Sequence, residues 1–405
     1  MQELRKEFPM LQNHPEMAYF DTASTALTPQ VVIDAMNNYY QYHNTNISRG
    51  VDKYGYETTA IYESVREKVK NFIGATRNEE IIFTRGTTES LNMIAFGFAK
   101  KQLHIGDEII LNIAEHHANL LPWIEVAQMT GAVVKYVDLL DDGSIDLTHL
   151  ETLLSSKTRI VAFAHVTNVL GSYNNPQTLI RLVRQQAQQA YIIVDGAQGV
   201  TQYDVDVQQF DCDFYAFSGH KLFGPTGVGI LYGKKELLQQ MYPLEFGGDM
   251  VAHVNKESAL YKELPQKLEA GTMMIAEVFG LGAALDFYQS IDHEQKRAYI
   301  KSLRAYAISK LEMIPNILIY NKDNVDAITI VFNIQCVHAH DAASVFSKEN
   351  IVLRAGHHCA QLLLERLETT SSLRMSLSFY NTKEEIDAFI EAAKKAGDFL
   401  DALFG

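Results

Sequence analysis

Two polar clusters in this chain each follow a short apolar run. Tyr191-Ile192-Ile193-Val194 ends in Asp195, and Phe214-Tyr215-Ala216-Phe217 leads into Ser218-Gly219-His220-Lys221. Continuous β-rich runs of this length suit strands covered on both faces, so each delivers its cluster to a strand's carboxyl end, where an α/β sheet opens to ligands. An aspartate and a lysine facing one crevice have the chemistry that pyridoxal phosphate requires: the amine bonds the cofactor's aldehyde carbon, and the carboxylate stays paired with the protonated ring nitrogen. Gln198 follows Asp195 closely enough to donate to the ring oxygen, and Ser218 and His220 flank the lysine, placed to bind the phosphate. Taken singly, Asp195 reads as a loop cap and Lys221 as a solvated cation; the ordered set does not.

Other residues of reactive type stand at other element ends. Ile81-Ile82-Phe83 is a strand, and Arg85-Gly86-Thr87-Thr88-Glu89 is the turn before a helix beginning near Thr88, whose free amides and threonine hydroxyls suit a phosphate and equally suit a plain N-cap. The strand Glu108 to Ile113 ends in Ala114-Glu115-His116-His117-Ala118-Asn119, where a histidine can stack on a flat ring or shuttle a proton, or where two histidines form a hydrogen-bonded loop pair. No acidic or thiol partner follows them at a spacing that suits zinc. Asn168, after the strand Arg159 to Val166, is placed to donate to a substrate carboxylate or to serve a turn. Thr272, in Leu268-Glu269-Ala270-Gly271-Thr272, caps a long helix or reaches a phosphate. Arg374 lies within an apolar strand, as a bidentate carboxylate clamp or a structural ion pair. Cys359 follows Gly356-His357-His358 and lies near Arg354, a setting that favours a thiolate, whereas Cys212 and Cys336 sit in or beside apolar segments and are expected to be buried and inert.

The elements that must position these groups alternate strand and helix through the middle of the chain, the pattern of a mainly parallel sheet with helices on its faces. Helices are expected at Val31 to Tyr42 and from Thr58 to a stop at Gly74, and an amphipathic one from about Ile275 to Ile291. Asn44 to Glu57 reads as a loop bearing the exposed cation Arg49. The segment Gly224 to Gly233 is a glycine-rich strand that allows close backbone approach but lacks a nucleotide fingerprint. A smaller α+β unit follows, ending in an amphipathic helix with Ile386, Phe389, Ile390, Ala393, Phe399 and Leu403. At 405 residues two domains are expected, and 47% hydrophobic residues supply their cores. A net charge of −14 argues against a nucleic-acid surface or an anionic-membrane footprint. Without an apolar leader or a membrane span, the expected location is cytoplasmic. Three cysteines are too few for a disulfide framework and show no metal-ligand spacing, so no metal site is expected.

Together the segments RGTTES, AEHHANLLPW, VDGAQG, FYAFSGHKLFGPTGVG, LEAGT, RAGHHCAQ and LRMSLSFYNT, in order from residue 85 to 382, resemble the group II cysteine desulfurases of SufS/CsdA type, within the class V aminotransferases. The resemblance implies the pyridoxal-phosphate-dependent fold type I: an α/β large domain over 21–289 with a mainly parallel seven-stranded sheet, and a smaller α+β domain from 1–20 and 290–405 that carries the cysteine loop. It implies pyridoxal 5'-phosphate bonded to Lys221, with Asp195 on the pyridinium nitrogen, Gln198 on the ring hydroxyl, His117 stacked on the ring, and Thr87, Thr88, Ser218 and His220 at the phosphate. Thr272 would reach the phosphate from the neighbouring subunit of a homodimer. Arg374 and Asn168 would bind the carboxylate of L-cysteine, with Arg354 near the thiol loop. Catalysis would fall to Lys221, His117 and Cys359, which would take the sulfur as a persulfide, release L-alanine and feed an acceptor protein in iron–sulfur or other sulfur transfer. The family's Asn-x-His-Arg-Gly-x-His loop reads here as Asn46-Ile47-Ser48-Arg49-Gly50-Val51-Asp52, so Ser48 and Asp52 stand where two histidines are usual. The neighbouring alternatives are a selenocysteine lyase, and a class V aminotransferase or epimerase with an incidental Cys359.

Overall fold

The computed structural model describes residues 1–48 and 51–397. Arg49, and Phe399 and Leu403 of the last expected helix, lie outside the described residues.

Seven strands form the central sheet: β1 (Ile81–Thr84), β2 (Glu108–Asn112), β3 (Val133–Val137), β4 (Thr158–Ala164), β5 (Tyr191–Asp195), β6 (Phe214–Ser218) and β7 (Gly229–Gly233). They lie in the order β1-β7-β6-β5-β4-β2-β3. β7 runs antiparallel to both β1 and β6, and all other pairings are parallel. Successive side chains point to opposite faces, so Ile192 and Val194 join one core while Ile193 joins the other. Burying each such side chain contributes about 1.5–3 kcal/mol, which is why these strands carry almost no polar residue before their ends.

Three helices cover one face. Gln30–Tyr42 begins after Pro29, as expected. The next is longer than its periodicity indicates: Lys53–Phe72 starts ahead of Thr58 because the Asp52 carboxylate caps it, accepting from the Gly55 N–H at 2.9 Å. The third, Ile275–Gln289, corrects the amphipathic expectation, since eleven of its residues are buried around its circumference. Glycine explains how it fits: a Cβ on Gly280 would lie 2.9 Å from Met36, and one on Gly282 would lie 2.6 Å from Val65, on the two neighbouring helices.

A second, antiparallel sheet orders β8 (Ile317–Ile319), β9 (Thr329–Ile334), β10 (Arg354–Gly356) and β11 (Ser372–Ser376) as β8-β9-β11-β10. The stretch from Ile351 to Arg354 is divided between two pairings. Ile351–Val352 pairs in parallel with Ala18–Tyr19, and Arg354 opens β10. The opening segment thereby serves both cores, with Phe8 and Leu11 in the larger and Ala18 and Phe20 beside Phe332 and Phe389 in the smaller. Cys212 is buried as expected, but Cys336 is exposed, because β9 has already ended and the chain turns there with φ at +66°.

Close approach between β7 and the turn before Thr87 depends on two glycines. A Cβ on Gly229 would lie 2.4 Å from the Gly86 Cα, a backbone atom that cannot swing aside. Gly229→Ala is therefore expected to destabilise the protein by about 1–3 kcal/mol, read as a lowered urea midpoint. An unchanged midpoint would show that strand and turn can part freely.

Candidate active site

β5 and β6 lie side by side with Asp195 in register with Ala216, so the two polar clusters emerge at one edge of the sheet. Between them lies a cavity of about 180 Å³ whose wall includes Thr87, Thr88, His116, Asn168, Asp195, Gln198, Ser218, His220, Lys221, Arg354 and Arg374. Its residues come from six or more separate segments, which is why no local pattern outlines it.

Asp195 is buried, and its Oδ1 accepts from the Ala197 N–H at 2.9 Å. Burial raises its carboxyl above the usual range, against the opposing pull of that N–H and of Lys221. Lys221 keeps some exposure to the cavity, yet desolvation pushes its amine down to about 8. Asp195 opposes that shift, while Arg374 and Arg354 add to it. Each charge thus depends on the other.

At the side nearest Thr87, the Thr87 N–H donates to Ser218 Oγ at 2.9 Å and the two hydroxyls lie 2.7 Å apart. His220 Nδ1 lies 3.1 Å from Thr25 Oγ1, and burial holds this ring neutral, pushed down to about 4. The helical run that begins at Thr87 continues to Gln102. Amides at its start, three hydroxyls and a neutral imidazole form a donor set suited to a phosphate. Gln198 donates from Nε2 to the Ala23 carbonyl at 2.6 Å, which pins its amide and leaves one N–H over.

The two adjacent histidines exchange their expected places. His116, not His117, lines the cavity, because it caps the short turn His117–Asn119, its Nδ1 accepting from the Ala118 N–H at 3.0 Å, and the turn carries the next ring past the wall. Burial, and then the charge of Lys221, drive His116 down to about 3, so it offers a neutral ring. His117 contributes its backbone instead, donating to the Cys359 carbonyl at 2.7 Å. No sequence signal distinguishes two neighbouring histidines at a strand end. Glu115 joins the site's support unannounced by the sequence reading: it is buried, its two oxygens accept from the Ala164 N–H at 2.9 Å and from Asn119 Nδ2 at 2.6 Å, and burial pushes it up to about 8. Asn119 in turn accepts from Trp123 at 3.0 Å, so the four-residue spacing of Glu115, Asn119 and Trp123 is the available signal.

Two arginines close the other side. Arg374, fully buried in β11, donates to the Asn168 carbonyl at 2.9 Å, to Asp21 at 3.0 Å and to Ser24 at 2.8 Å. Its Nε finds no partner among the described residues. The structural ion pair expected of Arg374 is therefore present, held through both Nη1 and Nη2. Arg354 donates to Ser24 at 3.1 Å and to Cys359 Sγ at 3.4 Å. Asp21 and Ser24 lie in a stretch that reads only as turn-rich, and nothing in it points to this role. Asn168 Nδ2 is engaged by the His358 carbonyl at 2.8 Å. Thr272 lies apart, in a cleft with Arg85, Glu89 and Glu245, so one chain does not bring it to the other donors. Its loop is anchored by a buried ion pair, Arg66 donating to both Glu269 oxygens at 2.7 and 2.9 Å. Ser48 and Asp52 are taken up locally, the Ser48 N–H donating to Thr59 Oγ1 at 3.0 Å and Asp52 capping its helix. Among the described residues no group of histidine, cysteine, aspartate or glutamate is arranged to hold a metal, and no helix is long and apolar enough to cross a membrane.

The chain matches the model of the aminotransferase class-V family over residues 18–389. It is 42% identical to a protein of Halalkalibacterium halodurans named "Probable cysteine desulfurase", over 99% of both chains. Among solved structures it resembles the cysteine desulfurase CsdA (S-sulfonic acid) from Escherichia coli, with 40% identity, a TM-score of 0.91 and 98% of each chain covered. It also resembles the cysteine desulfurase from Thermococcus onnurineus NA1, with 33% identity and a TM-score of 0.92 over 98% of each chain.

A lysine amine held down to about 8 becomes nucleophilic far below the ordinary lysine value of about 10.4. Labelling of Lys221 in the ligand-free protein by a small aldehyde with cyanoborohydride, followed by peptide mass spectrometry, is expected to rise with pH through about 8. A midpoint at the ordinary lysine value would refute the electrostatic account of the pair.

Proposed function

The chain belongs to the class-V aminotransferase family, among its cysteine desulfurases, and from that membership we propose that it converts L-cysteine to L-alanine by passing the sulfur to Cys359. The observation that carries this reading is the Arg354–Cys359 contact of 3.4 Å beside a cavity that holds both Lys221 and Asp195. Transamination alone has no use for a thiol held by a guanidinium.

The cofactor is pyridoxal 5'-phosphate, which when bound supplies a sink for the electron pair freed at the substrate's α-carbon. The residues present fit it: Asp195 is a buried carboxylate with a cationic partner, and the hydroxyls of Thr87, Thr88 and Ser218 gather with the amides at one side. In this reading Asp195 holds the ring nitrogen, Gln198 meets the ring hydroxyl, His116 takes the stacking place expected of His117, and Thr87, Thr88, Ser218 and His220 hold the phosphate. Lys221 tethers the group and moves the α-proton. Arg374 clamps the substrate carboxylate through donors that Asp21 and Ser24 leave over. The Cys359 sulfur then attacks the substrate sulfur: the carbon–sulfur bond breaks, its electron pair stays with carbon and takes a proton, and a sulfur–sulfur bond forms on Cys359. Arg354 faces the charge on the attacking atom.

Other molecules complete the picture. Thr272 is the residue that a second copy contributes to the phosphate side, which makes the active form a homodimer. Exposed Tyr40, Tyr42, Tyr54 and Tyr56 on two helix ends support a partner surface there, the ends being joined by Thr58 donating to the His43 carbonyl at 3.0 Å. A cytoplasmic acceptor protein would take the persulfide sulfur toward iron–sulfur or other sulfur transfer. The division into 21–289 and 1–20 with 290–405 belongs to the same reading, the two cores being joined through the opening segment.

With L-cysteine and a reductant, the protein is expected to release alanine and sulfide together. Cys359→Ala should lose sulfide transfer while keeping its bound cofactor, and Lys221→Ala should lose turnover by roughly 10²–10⁴-fold or more, as expected of a proton-moving group. Undiminished sulfide from Cys359→Ala would overturn the thiol mechanism. Turnover on selenocysteine alone would move the assignment to a lyase.

A further inference from the structure

The turn that carries Cys359 is held in an uncommon shape. His358 and Cys359 both have positive φ, +52° and +57°, after Gly356 at +115°. Side-chain-bearing residues leave that region unless the surroundings hold them there. Three hydrogen bonds from three elements do so. The His117 N–H donates to the Cys359 carbonyl at 2.7 Å, Asn168 Nδ2 donates to the His358 carbonyl at 2.8 Å, and His358 Nε2 donates to the Ser372 carbonyl at 2.9 Å.

Of these, the Asn168 contact reaches furthest into the site. A carbonyl accepts only from the N–H side of an amide, so the His358 oxygen fixes which way Asn168 points. One of its two amide hydrogens is thereby spent on the turn, and its Oδ1, buried at the cavity wall, has no partner among the described residues. The backbone oxygen of the same residue accepts from Arg374 at 2.9 Å. A single residue therefore joins the carboxylate clamp to the backbone of the cysteine turn.

We propose that Asn168 is a positioning residue for Cys359: its amide holds the turn in the left-handed geometry that sets the sulfur against Arg354. This rests on the desulfurase reading and adds a role to the carboxylate contact expected of Asn168. The sulfur so placed faces positive charge from Arg354, with Lys221 and Arg374 near enough to act on it.

The test uses the cofactor-loaded protein without substrate. Cys359 is alkylated in parallel with neutral iodoacetamide and anionic iodoacetate, the exposed Cys336 serving as internal reference, with rates read by peptide mass spectrometry. Where the turn is in place, surrounding cations favour the anionic reagent. Asn168→Asp removes the donor and sets an acceptor against the His358 carbonyl. Asn168→Ala removes the donor without burying a charge, and it serves where the first variant fails to fold or to keep its cofactor absorbance. In either variant the iodoacetate-to-iodoacetamide rate ratio at Cys359 is expected to fall roughly tenfold, the least that a nearby opposite charge is worth, with the Cys336 ratio unmoved. An unmoved ratio at Cys359 together with weakened L-cysteine binding would overturn the proposal and leave Asn168 a substrate contact alone. The alkylation needs no turnover. Failure of the wild type to make alanine would sink the desulfurase reading, while the alkylation ratio would still decide whether Asn168 holds the turn.

Discussion

Two opposite charges taken out of water at the ends of adjacent strands are the constraint on which this site depends. Parallel pairing of β5 and β6 puts Asp195 and the turn bearing Lys221 at one edge. Burial works against both charges, raising the carboxyl and lowering the amine, and each partner pulls the other back. A lysine poised this way can lose its proton near neutral pH without losing its place. Deprived of either charge, the other would be left buried and unpaired, a state that typically costs several kcal/mol.

The second consequence is a surplus of positive charge. Lys221, Arg354 and Arg374 meet in one small cavity, while the histidines around it are neutralised by burial. Among the described residues the carboxylates that answer them are Asp195, which acts on Lys221, and Asp21, which pairs with Arg374, so the space favours ligands carrying phosphate and carboxylate. The opening segment is what makes the arrangement stable. Ser24 receives both arginines and itself donates to Asp21 at 2.8 Å, so a turn near the start of the chain locks two residues near its end.

Legibility varies with how local the signal is. The central strands are readable because a short continuous apolar run with a polar terminus has few other solutions, and the positions of Asp195, Ser218 and Lys221 follow from it. The helix Ile275–Gln289 reads as amphipathic in sequence because its two glycines hide a packing face that side chains would have announced. Cys336 has the apolar neighbours of a buried thiol, yet the strand that would cover it stops short. Choosing between His116 and His117 requires the φ and ψ of one capping residue, which no composition encodes.

What the sequence determined by itself was the inventory and its placement along elements: a carboxylate and an amine after buried strands, threonines at a helix start, a thiol beside an arginine. Those follow from periodicity and from the chemistry of single residues, both of which are local. Tertiary structure decided which atoms remain available. It spent one Asn168 hydrogen on the cysteine turn, turned His117 from a ring into a backbone donor, and left Thr272 outside the cavity. The physical reason is that hydrogen-bond capacity is finite and directional, so a side chain's free donors are known only when every neighbour that claims them has been brought into place.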